Sequence, residues 1–516
     1  MADIDALDLT QLTSLDGSEQ FVMFNTTEGK RATVHTVKDY IESQLTFPNA
    51  HGTGLYGAKW DRLTNLLTRT RDAVGITTTT TNFCHKGTIN ANYDNPFDSI
   101  YPWSEMKVVN IDLTKYRNGY SLTDCIVAVY GDPDFTYFGS ENLFVGRYRP
   151  EYWYRSEEDS NGAIEFLVSQ NERVGFMKSE ECVDGISFCV DVGSSKVSAG
   201  AGIPLTNITV ATIHSRANSS GFTLQDIYSY DSALILYLVE YANMNSQSAI
   251  GSGCSDLYRQ NASDLITNVS VGTDSTTFKI TGLPSTHMYV GEQLSFGASS
   301  GATTYKGIVT GFTLDGTTYT VTLDRALALS EGMYLSVHGM ASCEFPYIGN
   351  SLGSASGYLG TDTKANAYYR GCVMWGNRYA YILGIYRQTG TNHIWLCPTT
   401  LDPDDALDTS VHTDSGKALP TLSAAAWQTV GGNAKRIGGL AAFMITDTSS
   451  GTSATPVGDQ QYVPLASAGN TILLRGGNSS NGWYVGAFCG YWLSGSGGST
   501  WCYASSPHSS HNVSGQ

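Results

Sequence analysis

Hydrophobic and polar positions change rhythm several times along this 516-residue chain. Near the start, Phe21–Phe24 and Arg31–Val34 flank a Glu28-Gly29 turn and predict two short strands. A helix is predicted next, with Thr36 as N-cap, Asp39 near its positive end, and Val37, Tyr40, Ile41 and Leu45 on one face. A segment this small cannot bury that face alone and must pack on a neighbour. From about 52 to 262, Pro and Gly punctuation predicts short strands joined by irregular loops. Within it, LYLVEYANMNSQSAIGSG (236–253) predicts an apolar helix in which Leu236, Val239 and Glu240 lead to a Gly-rich exit after Gln247. Residues 263–340 alternate apolar and polar positions between Gly and Asp-Gly turns, the pattern of a small antiparallel barrel or sandwich. Further on, GGLAAFM (438–444) and NTILLRGG (470–477) predict core strands.

The last stretch breaks with all of this. After Arg475 it holds no Asp, Glu, Lys or Arg, and sets Trp483, Tyr484, Tyr491, Trp492, Trp501 and Tyr503 among Ser, Gly and Asn. Amphipathic rings that lose little entropy when fixed, mixed with small hydrogen-bonding residues, are the chemistry of a paratope. A core strand would be richer in Val, Ile and Leu. A flexible Gly/Ser linker would hold few large rings. The stretch reads as a ligand-contacting surface.

The segment LLRGGNSSNGWYVGAF, followed by the Ser/Gly/aromatic run, resembles the variable region of phage proteins diversified by retroelements. Leu474–Gly477 matches that family's Leu-Arg-Gly-Gly opening and Gly486–Phe488 its Gly-x-Phe turn; the Trp usually found right after the Asn following Gly477 is missing. Tyr369, Arg370, Gly371, Gly376, Asn377, Gly384 and Ile385 match a strand pair of the same family. The resemblance implies a C-type-lectin-like fold for 341–516, a variable region at about 475–511, and adhesion to a changing receptor. The residues reachable by its mutated codons, and so implied as receptor-binding, are Ser479, Ser480, Tyr484, Cys489, Tyr491, Ser494, Gly495, Ser496, Ser499, Thr500, Cys502 and Tyr503.

Two further stretches point the same way. Residues 49–262 resemble a scaffold domain of gut-phage tail proteins, through Tyr56-Gly57, Trp60-Asp61, Asn95–Asp98, Tyr101–Ser104, Met106, Tyr130–Pro133, Val145, Tyr152–Tyr154 and 236–253. Residues 1–48 resemble the Leu-x-Gly-x-Glu … Tyr-Ile module that joins tail-fibre proteins to the virion. The implied organisation is an attachment segment (1–48), a β-rich scaffold (49–262), an inserted β-module (263–340) and a lectin-like end (341–516). The implied partners are a bacterial cell-surface receptor, protein or glycan, and phage tail or baseplate proteins at the N-terminus. A homotrimer within the virion is expected.

Composition narrows the remaining options. Charged residues are 15% of the chain, against roughly 25% in typical soluble proteins. With 55 Gly, that favours a β-rich, turn-rich fold, expected here as mainly β with α+β parts. A net charge of −17 argues against nucleic acid and anionic membranes as partners. No apolar run approaches the ~18 residues of a membrane helix, so no membrane insertion is expected. The acidic N-terminus MADIDALDLTQ lacks a signal-peptide core, so synthesis in the bacterial host cytoplasm is expected. Ten cysteines without a Cys-x-x-Cys pair suggest buried thiols rather than zinc.

Catalytic and metal signals are thin. Asp402, Asp404, Asp405 and Asp408 could feed calcium, but lack the EF-hand Gly and Glu; a solvated acidic loop is the preferred reading, and no cofactor or metal is expected. Cys489 and Cys502 have no identifiable base. Glu151, Glu157, Glu158 and Asp159 cluster without marking a catalytic pair. A non-enzymatic phage tail adhesin is the expectation; a tail-associated surface-polysaccharide depolymerase and a purely structural tail-fibre protein are the alternatives.

Overall fold

The helix Ile227–Tyr241 carries apolar residues on every side, and a helix of that kind is stable only when surrounded. In the computed structural model 14 of its 15 residues are buried. It begins nine residues before the predicted Leu236, because Asp226 caps it by accepting the Ser229 N–H at 2.8 Å. It ends at Ala242, whose left-handed backbone (φ 47°) lets its N–H reach the Leu238 carbonyl. The Gly-rich exit holds a separate short helix, Ser246–Ala249.

The described residues are 53–78, 95–348, 366–447, 457–493 and the backbone of 507–508, with short breaks at 194, 207, 256, 258, 270–273, 284–287 and 402–405. The expected strands and helix of 1–48 lie outside them. From Gly54 onward the chain forms one compact unit, mainly β. Among the described residues no helix is long and apolar enough to cross a membrane.

The central helix packs on both Ile164–Ser169 of a five-stranded sheet and Ala380–Arg387 of a seven-stranded one. One hydrophobic core therefore runs from Tyr56 and Trp60 through Leu234 and Leu238 to Leu473 and Trp492. The stretches 49–262 and 341–516 share this core instead of forming two separately packed bodies.

Between them in sequence, six strands close a barrel in the order Arg259–Val269, Ser275–Thr281, Thr318–Leu327, Tyr305–Asp315, Glu292–Gly297 and Tyr334–Met340. Its alternation has a direct cause. Phe278 pairs with Val321 and Ile280 with Tyr319, so one face of each strand fills a core of its own with Phe296, Leu294 and Leu335. The stretch read as an inserted module, 263–340, falls within this barrel.

The seven-stranded sheet runs Thr413–Ala418, His393–Leu396, Ala380–Arg387, Thr471–Arg475, Gly490–Leu493, Gln460–Val463, Ala426–Thr429. NTILLRGG supplies a strand of it, as expected. GGLAAFM does not. Only its last residue enters a two-residue strand, Met444–Ile445; the rest is a loop, exposed at Gly438 and Gly439 and buried from Leu440 to Phe443. Its backbone finds partners without a sheet: the Asp231 carboxylate of the central helix accepts N–H groups from Ala441, Ala442 and Phe443 at 2.7, 2.8 and 2.6 Å.

An aromatic cluster as candidate functional site

The terminal strand Gly490–Leu493 lies between Thr471–Arg475 and Gln460–Val463, antiparallel to the first and parallel to the second. Side chains alternate across it. Trp492 is opposite Leu473, and both are buried in the main core. Tyr491 points the other way and pairs with Tyr462, which in turn pairs with Trp427 on the edge strand. The result is a row of rings on the outer face.

Its geometry is close-packed. Tyr462 and Tyr491 stack at 4.5 Å with 9° between planes. The Trp427 ring stands 5.6 Å from each of them, edge to face. Tyr484 lies 5.4 Å from Trp427, and Trp483 4.7 Å from Tyr484. Buried Tyr379 backs Tyr491 at 5.5 Å. Trp427, Tyr462, Tyr484 and Tyr491 are half-buried and Trp483 is 37% exposed, so the cluster keeps ring surface in solvent. The three strands bearing Trp427, Tyr462 and Tyr491 carry no charged residue. Partial burial and the neighbouring Tyr462 raise the Tyr491 phenol above its ordinary value, so it stays a neutral donor.

The loop before this strand is pinned from beneath. The Arg475 guanidinium sits 4.6 Å from the Tyr230 ring of the central helix and donates to the Met374 carbonyl at 2.6 Å. Gly477 (φ 72°) passes so close to Val485 that a Cβ would come within 2.6 Å of it. At Gly486 a Cβ would lie 2.1 Å from the buried Asp459 carboxylate, which accepts the Phe488 N–H at 2.7 Å. Tyr230 donates to the Ala487 carbonyl at 2.6 Å. The Arg-Gly-Gly and Gly-x-Phe segments thus form a rigid footing.

The twelve expected contact residues divide three ways. Ser480, Tyr484 and Tyr491 reach the surface. Ser479 and Cys489 do not: Ser479 is 1% exposed and donates to the His338 carbonyl at 2.9 Å, and Cys489 is fully buried, where desolvation pushes its thiol far up and keeps it protonated. Both belong to the footing. Ser494, Gly495, Ser496, Ser499, Thr500, Cys502 and Tyr503 lie outside the described residues. Beyond them, Pro507–His508 enters a six-stranded sheet between Thr223–Leu224 and Cys182–Gly185.

Sequence reading missed Trp427 and Tyr462. Each sits in a four-residue strand, and only long-range pairing brings them to Tyr491. It also missed the buried charges, such as Glu240, which receives Arg370 twice at 2.8 Å and the Tyr369 hydroxyl at 2.7 Å.

Elsewhere the signals stay weak. Glu151, Glu157, Glu158 and Asp159 form ion pairs with Lys178, Arg155, Arg62 and Lys59. The eight cysteines among the described residues are all buried and free. No group of three His, Cys, Asp or Glu that could hold a metal occurs among the described residues; Asp402, Asp404 and Asp405 are not among them. Comparison with known protein families and with curated proteins gives no match for this chain.

Proposed function

We propose that this chain is a receptor-binding protein of a phage tail, whose C-terminal part has a C-type-lectin-like arrangement and contacts a bacterial surface receptor. The observation that carries this is the meeting of Tyr484 and Tyr491, two residues implied as variable, with Trp427 and Tyr462 in one uncharged, half-exposed aromatic cluster. Rings held rigid on a sheet and partly open to solvent are the anchors that bind by desolvation. The footing beneath supports the same reading. Arg475, Gly477 and Gly486 are tied to the core, so neighbouring displayed positions can vary while the backbone stays fixed. Under this proposal the contact set is Ser480, Trp483, Tyr484 and Tyr491 with the framework rings Trp427 and Tyr462, joined by the implied positions after Leu493. Attachment through residues 1–48, a trimeric assembly and residence in the virion complete the proposal; no catalysis is required of it.

The test is binding of the intact protein to cells of the bacterium its phage infects. Tyr491→Ala and Trp427→Ala should each weaken binding about 30-fold, as for loss of a hot-spot ring. Binding that survives both substitutions overturns the proposal. Sequencing the gene in sibling phages gives an independent check, with changes expected to cluster after Arg475.

A further inference from the structure

A concavity of about 600 Å³ opens beside the N-terminal end of the central helix, and it shares no residue with the aromatic cluster. That volume suits a small-molecule site. Its floor is built around Arg149, which is fully buried. The Arg149 guanidinium donates to the Tyr152, Ser179 and Ser229 hydroxyls, each at 2.9 Å, and to Asp184 at 3.2 Å. The hydroxyls of Ser179, Ser229 and Ser232 line the wall with the rings of Tyr154 and Tyr228.

Two features decide what could fill it. The first is charge. Arg149 and Lys178 among the lining residues are matched by Glu180 and Asp226, so the wall carries no net charge for an ionic ligand to neutralise. The second is Tyr154. Its neighbours are satisfied: Tyr152 donates to the Ser232 carbonyl at 2.7 Å and Tyr228 to the Cys397 carbonyl at 2.5 Å. Tyr154 is 3% exposed, yet its hydroxyl has no hydrogen-bond partner among the described residues. The hydroxyl itself is open to the concavity, where water or a ligand oxygen can accept its proton.

We infer that this concavity binds a neutral saccharide unit, with Tyr154 donating to a sugar oxygen. Ring faces beside a row of hydroxyls and a carboxylate at Asp226 complement a molecule with an apolar ring face and polar edges. A lipid would bring no acceptor to the Tyr154 hydroxyl, and a phosphate or uronate would find Arg149 already paired with Asp184, and Lys178 with Glu151 and Glu180. The site is separate from the aromatic cluster and does not depend on the receptor-binding proposal.

The experiment is saturation-transfer NMR on the full chain with galactose, mannose and N-acetylglucosamine, and with glucuronate and inorganic phosphate as anionic comparators. At least one neutral sugar should show transfer. Tyr154→Phe keeps the ring and removes only the unbonded hydroxyl, and should weaken that sugar three- to tenfold, about the worth of one hydrogen bond. Thr399→Trp, at the exposed rim, should block binding without touching the floor. Tyr491→Ala should leave the signal intact. The inference is overturned if no neutral sugar binds, if only the anions bind, or if Tyr154→Phe binds as the parent does. It is equally overturned if Tyr491→Ala abolishes the signal, which would move the sugar to the aromatic cluster.

Discussion

Tyr491 and Trp492 are neighbours in one strand and meet opposite surroundings. Trp492 is 1% exposed and packs with Leu473 against the side of the sheet that holds the central helix. Tyr491 lies in a half-exposed stack of rings on the other side, packed at the margin of a second core. The inner side also holds buried charge, with Asp231, Glu240 and Arg475 all fixing loops or strands to the central helix. The outer cluster is uncharged. Both sides of the sheet carry a core, but the buried charges lie on one side and the half-exposed rings at the margin of the other.

The contrast is sharpest in stability. Arg370→Met would take the buried guanidinium away from both Glu240 and Asp98 and should cost about 3–5 kcal/mol in denaturant unfolding. Trp492→Ala should cost a similar 3–5 kcal/mol, read by thermal melting, through the cavity it leaves. Tyr491→Ala should cost only about 1 kcal/mol, the worth of a partly exposed aromatic pair, while receptor binding collapses. Equal destabilisation by the last two would erase the distinction between the sides.

Asp231→Asn keeps the shape but replaces one acceptor oxygen with an NH2 group; with the carbonyl oxygen kept toward Ala442 and Phe443, the Ala441 N–H loses its acceptor. It should cost about 2–3 kcal/mol, with faster hydrogen exchange in the 438–444 loop, since a buried donor left unmade costs about 1–3 kcal/mol. Unchanged exchange there would mean that the loop holds itself.

The footing can also be tested through pH, with no effect near neutrality. Burial, helped by Arg378, pushes the His338 imidazole down to about 3, so it is neutral in the fold. The unfolded chain takes up that proton near pH 6.5. This contribution to stability is complete above pH 6.5 and is lost as pH falls toward 3. In a His338→Gln variant the melting temperature should fall less steeply across that window.

Much of the architecture was legible because it is local. The barrel announced itself by alternation and Asp-Gly turns, since a strand with one buried face must repeat every two residues. NTILLRGG was legible for the same reason. The helix was found but misplaced, because its true start depends on the Asp226 cap and not on the apolar run. GGLAAFM misled, because an apolar run records burial and not which partner satisfies its backbone. Ser479 and Cys489 misled in the opposite way: small residues in a Gly/Ser/aromatic stretch look displayed until the fold covers them.

By itself the sequence determined the alternating strands of the barrel, the NTILLRGG strand, the mainly β character and the uncharged, ring-rich composition of the terminal stretch, because each is written in neighbouring residues. Only the tertiary structure decided that 49–262 and 341–516 share a core around one helix. It alone joined Trp427 and Tyr462 to Tyr491, and set Arg149 and Tyr154 around a second concavity. These are pairings across tens to hundreds of residues, fixed by which faces bury each other, and no local pattern encodes them.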